Sequence, residues 1–286
     1  MSLPWHGPAA PPSSLADVAA RLRAQAVRMS HEAGTPHLGS SLSCADILAA
    51  AYWRVLRLDP ARPDAPDRDR FILSKGHAAT ILYAALAFRG FFPAAELDRY
   101  NTAGGPLAEH PGPGCVPGVE VATGSLGHGL PMALGMALAG KIQKRSYRVY
   151  ALLSDGECNE GSVWEAAMLA PAQGLSNVCV IVDYNKWQAT GRSNETLALA
   201  PLRAKWEAFG WSAHEVDGHD PQALADMMEH LPDGSGRPVA LIAHTVKGKG
   251  VSFMEDDNNW HYRIPKAHEV AAALQELGQA DGGMPS

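Results

Sequence analysis

The sequence predicts an α/β fold, a doubly wound and mainly parallel sheet flanked by helices, and three features carry that reading. The first is a strand, tight turn, helix and strand running from Val149 to Trp187, in which apolar, β-branched runs flank a helical segment. Second, helices and strands alternate through the latter half of the chain, at 201–209, 211–216, 221–231 and 238–245. Third, 70–77 reads as a short buried strand ending in a turn, with a helix from Ala78 to Arg89 after it. Right-handed crossovers between parallel strands bring the strand carboxyl ends to one edge, where ligand loops gather.

In chain order, residues 1–13 hold prolines at 4, 8, 11 and 12 and no periodicity, which marks a flexible or surface-draped lead-in. One domain is expected over 14–276, with a loose tail at 277–286. Its first helix starts at a Ser14 cap and repeats Leu15, Val18, Ala19, Leu22, Ala26 and Met29 up to the Gly34 stop. A second helix is expected from Ser43 to about Arg57, and the loop Gly34–Ser41 between them carries His37. His77 ends the 70–77 strand. A long Gly/Pro-rich segment from Glu109 to Gly129 precedes a helix at Leu130–Lys144, and loops of that length in compact domains usually serve a function. Its Gly124–Gly129 turn can approach a flat ring closely. The last strand runs into a loop that contains His261; Lys247-Gly-Lys-Gly250 there lacks the glycine spacing and the Ser/Thr of a phosphate-binding P-loop.

With 286 residues, 46% of them hydrophobic, the chain can bury a sizeable core. Its 24 basic and 30 acidic residues give a net charge of −6 with no basic block, so nothing recommends nucleic acid or an anionic membrane as the main partner. The four cysteines, at 44, 115, 158 and 179, have no C-x-x-C pairing, so a disulfide framework or zinc site is not expected and a cytoplasmic location is. No apolar run is long enough to span a bilayer.

The Asp155-Gly156 turn and the Asp183-Tyr184-Asn185 turn follow adjacent parallel strands and should lie side by side. Hard oxygen donors in that arrangement suit Mg²⁺, which takes few protein ligands and completes its shell with phosphate oxygens and water. Gly156 lets backbone approach such a phosphate, and the helix starting near Gly161 aims free N–H groups at it. The same residues, taken alone, also make an ordinary turn and loop cap, and each of His37, His77, His110 and His261 alone is an ordinary turn or surface residue.

Taken together, these motifs resemble the transketolase family. Ser154-Asp155-Gly156 followed thirty residues later by Asn185 is similar to its thiamine diphosphate motif. The Pro-His37-Leu-Gly, Lys-Gly-His77, His110-Pro111 and Pro117-Gly118-Val-Glu segments match its other motifs in the same order, up to His261. The resemblance implies a thiamine-diphosphate-binding fold, the diphosphate-binding domain. By role, it implies Mg²⁺ held by Asp155, Asn185 and the main-chain oxygen of Trp187. It places His77, Gly156 and His261 at the diphosphate, and Gly124, Ser125 and Leu126 at the aminopyrimidine. It turns His37 and His110 to the reacting carbon and the substrate hydroxyls, and sets Glu160 at a subunit junction. Three positions depart from the family: Ser154 replaces a glycine, Ala189 a larger aliphatic and Tyr262 a glycine.

The implied activity is transfer of a two-carbon ketol unit from a ketose or ketose phosphate to an aldose. Because the family's pyrimidine-binding domain would follow Ser286, the expected protein is the N-terminal subunit of a split transketolase, completed in a heterotetramer by a C-terminal subunit. Alternatives are a 1-deoxyxylulose-5-phosphate synthase-like or 2-oxoacid-cleaving subunit, or a non-catalytic domain that structures a partner. The residues gripping the sugar's distal end are expected on the other chain.

Overall fold

The computed structural model describes residues 4–8 and 10–279. Five described strands form one sheet: β1 (Arg70–Leu73), β2 (Val149–Ser154), β3 (Val178–Tyr184), β4 (Ser212–Asp217) and β5 (Val239–His244), in the order β1-β2-β3-β5-β4 with every pair parallel. The helices in chain order are α1 (Leu15–Ala33), α2 (Leu38–Ser43), α3 (Ala45–Ala50), α4 (Ala79–Phe88), α5 (Gly129–Ile142), α6 (Gly161–Ala172), α7 (Ser193–Thr196), α8 (Leu202–Ala208), α9 (Pro221–Glu229) and α10 (Ala267–Glu276).

The sheet is covered on both faces. Tyr150, Leu152, Cys179, Ile181 and Leu241 join one buried cluster with α1–α4, α9 and α10, while Val149, Ala151, Leu153, Val180 and Ile242 join a second with α5, α6 and α8. A strand buried on both sides cannot alternate apolar with polar, which is why β2 and β3 read as unbroken apolar runs. Each such Leu or Val removed from water contributes roughly 1.5–3 kcal/mol before the entropy of ordering it is counted.

Local chemistry sets the ends of α1. The Ser14 side chain accepts from the Asp17 N–H, and Gly34 closes the helix at φ 64°, donating to His31 and Ser30 carbonyls. The helix expected from Ser43 to about Arg57 runs from Ala45 to Val55, and the segment expected as a loop before it is partly helical. Residues 38–43 form α2, Cys44 departs from helical geometry at φ −101°, ψ 11°, and α3 continues into a π-helical turn at Ala51–Val55. The cause lies at Ser40, whose carbonyl receives the Lys75 ammonium at 2.8 Å and the Ser43 hydroxyl at 3.0 Å. These two donors satisfy the acceptor that a continuous helix would have used on residue 44.

Both terminal segments lie against the domain, the first as a surface-draped lead-in would. Residues 4–8 are docked: Trp5 packs 4.7 Å from the Phe88 ring and 5.9 Å from that of Trp53, and the Trp53 indole donates to the Pro4 carbonyl. At the other end α10, which the sequence pattern did not reveal, packs on α1. Leu277 is buried, and the Gln279 N–H donates to the Leu274 carbonyl; 280–286, the rest of the expected loose tail, lie outside the described residues. Cys44, Cys158 and Cys179 are buried free thiols and Cys115 is partly buried. No helix of the described residues is long and apolar enough to cross a membrane.

Candidate cofactor and catalytic site

Register places the two turns side by side. Ser154 pairs with Asp183 across β2 and β3, and the Asp155 N–H donates to the Asp183 carbonyl at 3.2 Å. Ser154 is the last residue of β2 in extended backbone, so this turn requires no glycine there, and its hydroxyl accepts from the Glu157 N–H at 3.2 Å.

Asp155 is fully buried. One carboxylate oxygen accepts from Gly156 N–H at 2.8 Å, and the other from Lys186 N–H at 2.7 Å and the Ser193 hydroxyl at 2.8 Å. It has no cationic partner among the described residues, and burial, only partly offset by the Ser193 hydroxyl, pushes its pKa up to about 7. The Lys75 and Lys247 charges act on it only through space, without a direct ion pair. Asn185, also buried, accepts at Oδ1 from the Trp187 N–H at 3.1 Å. One carboxylate, one amide oxygen and main-chain oxygens form a donor set that could hold Mg²⁺ with phosphate oxygens filling the shell; no cluster of three or more His, Cys, Asp or Glu suited to a metal occurs among the described residues.

Above these turns opens a cleft of 380 Å³ lined by His37, His77, His110, His261, Gly124, Leu126, Gly156, Glu160, Asn185 and Trp187. Nearly all the site residues expected from the sequence thus meet in one place. Two are off the lining, Ser125, which is exposed, and Asp155, which is wholly buried at the end of β2, and the Trp187 indole turns away to Asp256 at 2.7 Å. His37 sits at φ 69°, a conformation costly for a residue with a Cβ, and its N–H donates to the His261 carbonyl at 2.9 Å. Its ring lies 5.4 Å from that of His77, 6.4 Å from that of His110 and 5.0 Å from that of His261.

Burial followed by the Lys75 charge holds His77 well below its usual pKa, and burial with Lys247 lowers His261 to about 3. Burial likewise lowers His37, against the opposing pull of Glu109. These three imidazoles are therefore neutral at pH 7, each with one N–H donor and one acceptor. Lys247 Nζ lies 2.9 Å from His261 Nδ1 and donates to Asn258 Oδ1 at 2.8 Å. Nδ1 is thereby the acceptor, which leaves the proton on Nε2.

The glycine turn is shaped by close approach. Gly124 has φ 135°, and a Cβ there would stand 2.6 Å from His110 Cδ2. A Cβ on Gly76 would stand 2.6 Å from the Gly124 nitrogen.

Several residues that hold this geometry give no sign of it in the sequence. Glu157, buried, accepts from the Ser74 hydroxyl, from Gly127 N–H at 2.9 Å and from Ser154 N–H at 3.3 Å, tying the glycine turn to the β2 end; Glu160, the acid singled out from the sequence, is exposed on the rim. Lys75 and Asp183 pair in the core, with Ser43, Thr245 and Asn185 also donating to Asp183. Gln188 lines the cleft with its buried Nε2 unpartnered. Sequence spacing offers no signal for Glu157 or Lys75, because, apart from Ser154, their partners are 30 to 108 residues away.

The family model for the transketolase thiamine diphosphate binding domain matches residues 15–282. Among curated relatives, the chain is 38% identical over 257 residues to one subunit of the apulose-4-phosphate transketolase of Phocaeicola vulgatus, covering 90% of this chain and 91% of that one. It is 44% identical over 241 residues to the corresponding subunit of Actinobacillus succinogenes, covering 84% and 87%. It is 42% identical over 244 residues to a 6-deoxy-6-sulfo-D-fructose transketolase subunit of a Clostridium species, covering 85% and 89%. Transketolase from Leishmania mexicana superposes with a TM-score of 0.89 at 26% identity, over 95% of this chain but only 42% of its own length. The chain belongs to the transketolase N-terminal family, the thiamine diphosphate binding domain of transketolases.

Proposed function

We propose that this chain is the N-terminal subunit of a two-chain transketolase, moving a two-carbon ketol unit from a ketose or ketose phosphate to an aldose with thiamine diphosphate and Mg²⁺. The observation that carries the reading is the meeting of Asp155, Gly156 and Asn185 at adjacent strand ends beneath four histidines of one cleft. Asp155, Asn185 and the Trp187 carbonyl would hold Mg²⁺, with the buried Asp155 supplying the charge it needs. His77, Gly156 and His261 would bind the diphosphate, and Gly124, Ser125 and Leu126 the aminopyrimidine. When bound, the cofactor supplies carbon–carbon bond cleavage and a reservoir for the released electrons. The chain's own residues would position and protonate: His37 and His110 would face the reacting carbon and the substrate hydroxyls, where imidazoles can donate and accept hydrogen bonds.

A partner chain carrying the pyrimidine-binding domain would complete the site, in a cytoplasmic heterotetramer. Two observations support this. Relatives matched over about nine-tenths of their length are named as subunits. Ile142 on α5 and Met168 and Leu169 on α6 are exposed apolar side chains suited to burial by another chain.

Calorimetry tests the reading. Mg²⁺-dependent binding of thiamine diphosphate should be tight with the partner present and lost in Asp155→Ala, and the mixture should use a ketose rather than pyruvate as donor. Ketol transfer at full rate by this chain alone would refute the partner requirement. Absence of cofactor binding in every mixture would refute the cofactor assignment.

A further inference from the structure

The cleft does not end at its histidines. A second hollow of 450 Å³, lined by Ala189, Asn258, Asn259, Tyr262 and Arg263, adjoins it at Ala189, a short side chain common to both linings. Tyr262 stands on the dividing wall. Its ring lies 4.7 Å from that of His261, at 71° to it, and 6.3 Å from that of His37, yet its side chain is 63% exposed.

A large exposed aromatic beside candidate catalytic groups invites a ligand to cover it. The polar groups around it are of two kinds. Asn258 is already committed, accepting from Lys247 at 2.8 Å and donating to the Ala189 carbonyl at 3.2 Å. By contrast the Tyr262 hydroxyl and the Asn259 carboxamide make no hydrogen bond among the described residues, so both remain free to donate and accept. Arg263 is also committed, paired to Glu269 and stacked 4.3 Å over Trp260. With that charge balanced, the hollow offers neutral hydrogen bonding rather than a seat for a dianion.

We propose that Tyr262 and Asn259 form a specificity-determining subsite, on this chain, for the distal hydroxyl groups of the sugar. The inference rests on the ketol-transfer reading and differs from the expectation that the residues gripping the distal end lie on the other chain. Tyr262 packs against the carbon chain and, with Asn259, exchanges hydrogen bonds with hydroxyls beyond the carbons handled by the histidines. A site built to bond a hydroxyl discriminates against substrates lacking it, because its own polar groups are then left unpaired.

The test uses the complex of this chain with its partner subunit, one ketose donor, and the acceptors glycolaldehyde, glyceraldehyde, erythrose and erythrose 4-phosphate. The ratio of kcat/KM for erythrose to that for glycolaldehyde should fall about tenfold in Tyr262→Phe and in Asn259→Ala, mainly through KM, and further in Tyr262→Gly. Thiamine diphosphate affinity, measured calorimetrically on the same complexes, reports separately on the cofactor site. Ratios equal to wild type, or ratios that change only with erythrose 4-phosphate, overturn the subsite while leaving ketol transfer standing. A wild-type complex that transfers to none of the acceptors overturns the ketol-transfer reading and the subsite with it.

Discussion

Lys75 and Asp183, 108 residues apart in sequence, form an ion pair whose side chains are both wholly buried beneath the strand ends. Burial opposes the charge on each, yet their pairing overrides it, holding Asp183 below its usual pKa and Lys75 above. Asp183 also accepts from Ser43 at 2.6 Å and from Asn185 at 3.3 Å, so the pair locks α2, β1 and the Asn185 turn together. Lys75→Met leaves an unpaired buried carboxylate and should cost about 3–5 kcal/mol in urea unfolding. Lys75→Met with Asp183→Leu should cost less than the two single changes added, since no isolated charge then remains. A loss below about 1 kcal/mol for Lys75→Met would show that water reaches the pair.

The three imidazoles dictate a pH response. For His261, lowered to about 3 against an unfolded value of about 6.5, the folded chain binds fewer protons than the unfolded one between those limits. The stability it contributes is thus complete above pH 6.5 and is lost as pH falls towards 3; His77 and His37 act in the same direction. The charged groups facing His261 are Lys247, Lys75 and, when protonated, His37, all of which oppose a further positive charge. In NMR titration of the chain without cofactor, the His261 ring protons should stay in their neutral position down to about pH 4, and His261→Gln should flatten the acid limb of the stability curve. A midpoint near 6.5 would contradict the burial on which this rests.

Much of this site was legible because its donors lie in short runs at strand ends. Parallel topology brings every β-strand's carboxyl end to one edge, so Asp155 and Asn185 could be placed together from two apolar runs and the helix between them. The supports were hidden for a physical reason. Glu157 and Lys75 act largely through partners brought near by folding, and a buried acid looks no different in sequence from an exposed one, so Glu157 was not singled out beside Glu160. The break between α2 and α3 at Cys44 has the same origin, since the Ser40 carbonyl is diverted by a lysine 35 residues away. Helix α10 was passed over, although Lys266 N–H donates to Glu269 at 2.8 Å in a capping box.

Gln188 gives a cofactor-affinity test separate from the metal. Its Nε2 is buried without a partner, and its side chain covers Gly156 closely enough that a Cβ there would stand 3.1 Å from Gln188 Cγ. An amide donor over the diphosphate turn is satisfied by an anionic ligand, and a hydrogen bond to a charged group contributes about 1.5–3 kcal/mol. Gln188→Leu should weaken thiamine diphosphate binding by roughly 10-fold or more in calorimetry at saturating Mg²⁺. It should leave the melting temperature of the cofactor-free chain level or higher, since a buried unpaired donor is removed. Unchanged affinity would mean the amide finds its partner elsewhere.

The glycine turn yields the sharpest steric test. At Gly124, φ 135° lies where residues with a Cβ are strained, and the added carbon would meet His110 Cδ2 at 2.6 Å. In Gly124→Ala either the turn relaxes, moving Leu126 and the Gly127 N–H that Glu157 holds at 2.9 Å, or His110 swings out of the cleft. Both responses deform the wall assigned to the aminopyrimidine, while the sheet and both cores stay remote from the change. Cofactor affinity should therefore fall at least about tenfold, with urea unfolding shifted by only about 1–3 kcal/mol, the cost of one strained residue. The companion change Gly104→Ala, at φ 73° but with open space around its Cβ, separates backbone strain from crowding: it should cost stability without touching cofactor binding. Equal affinities in Gly124→Ala and wild type would remove the turn from the cofactor site.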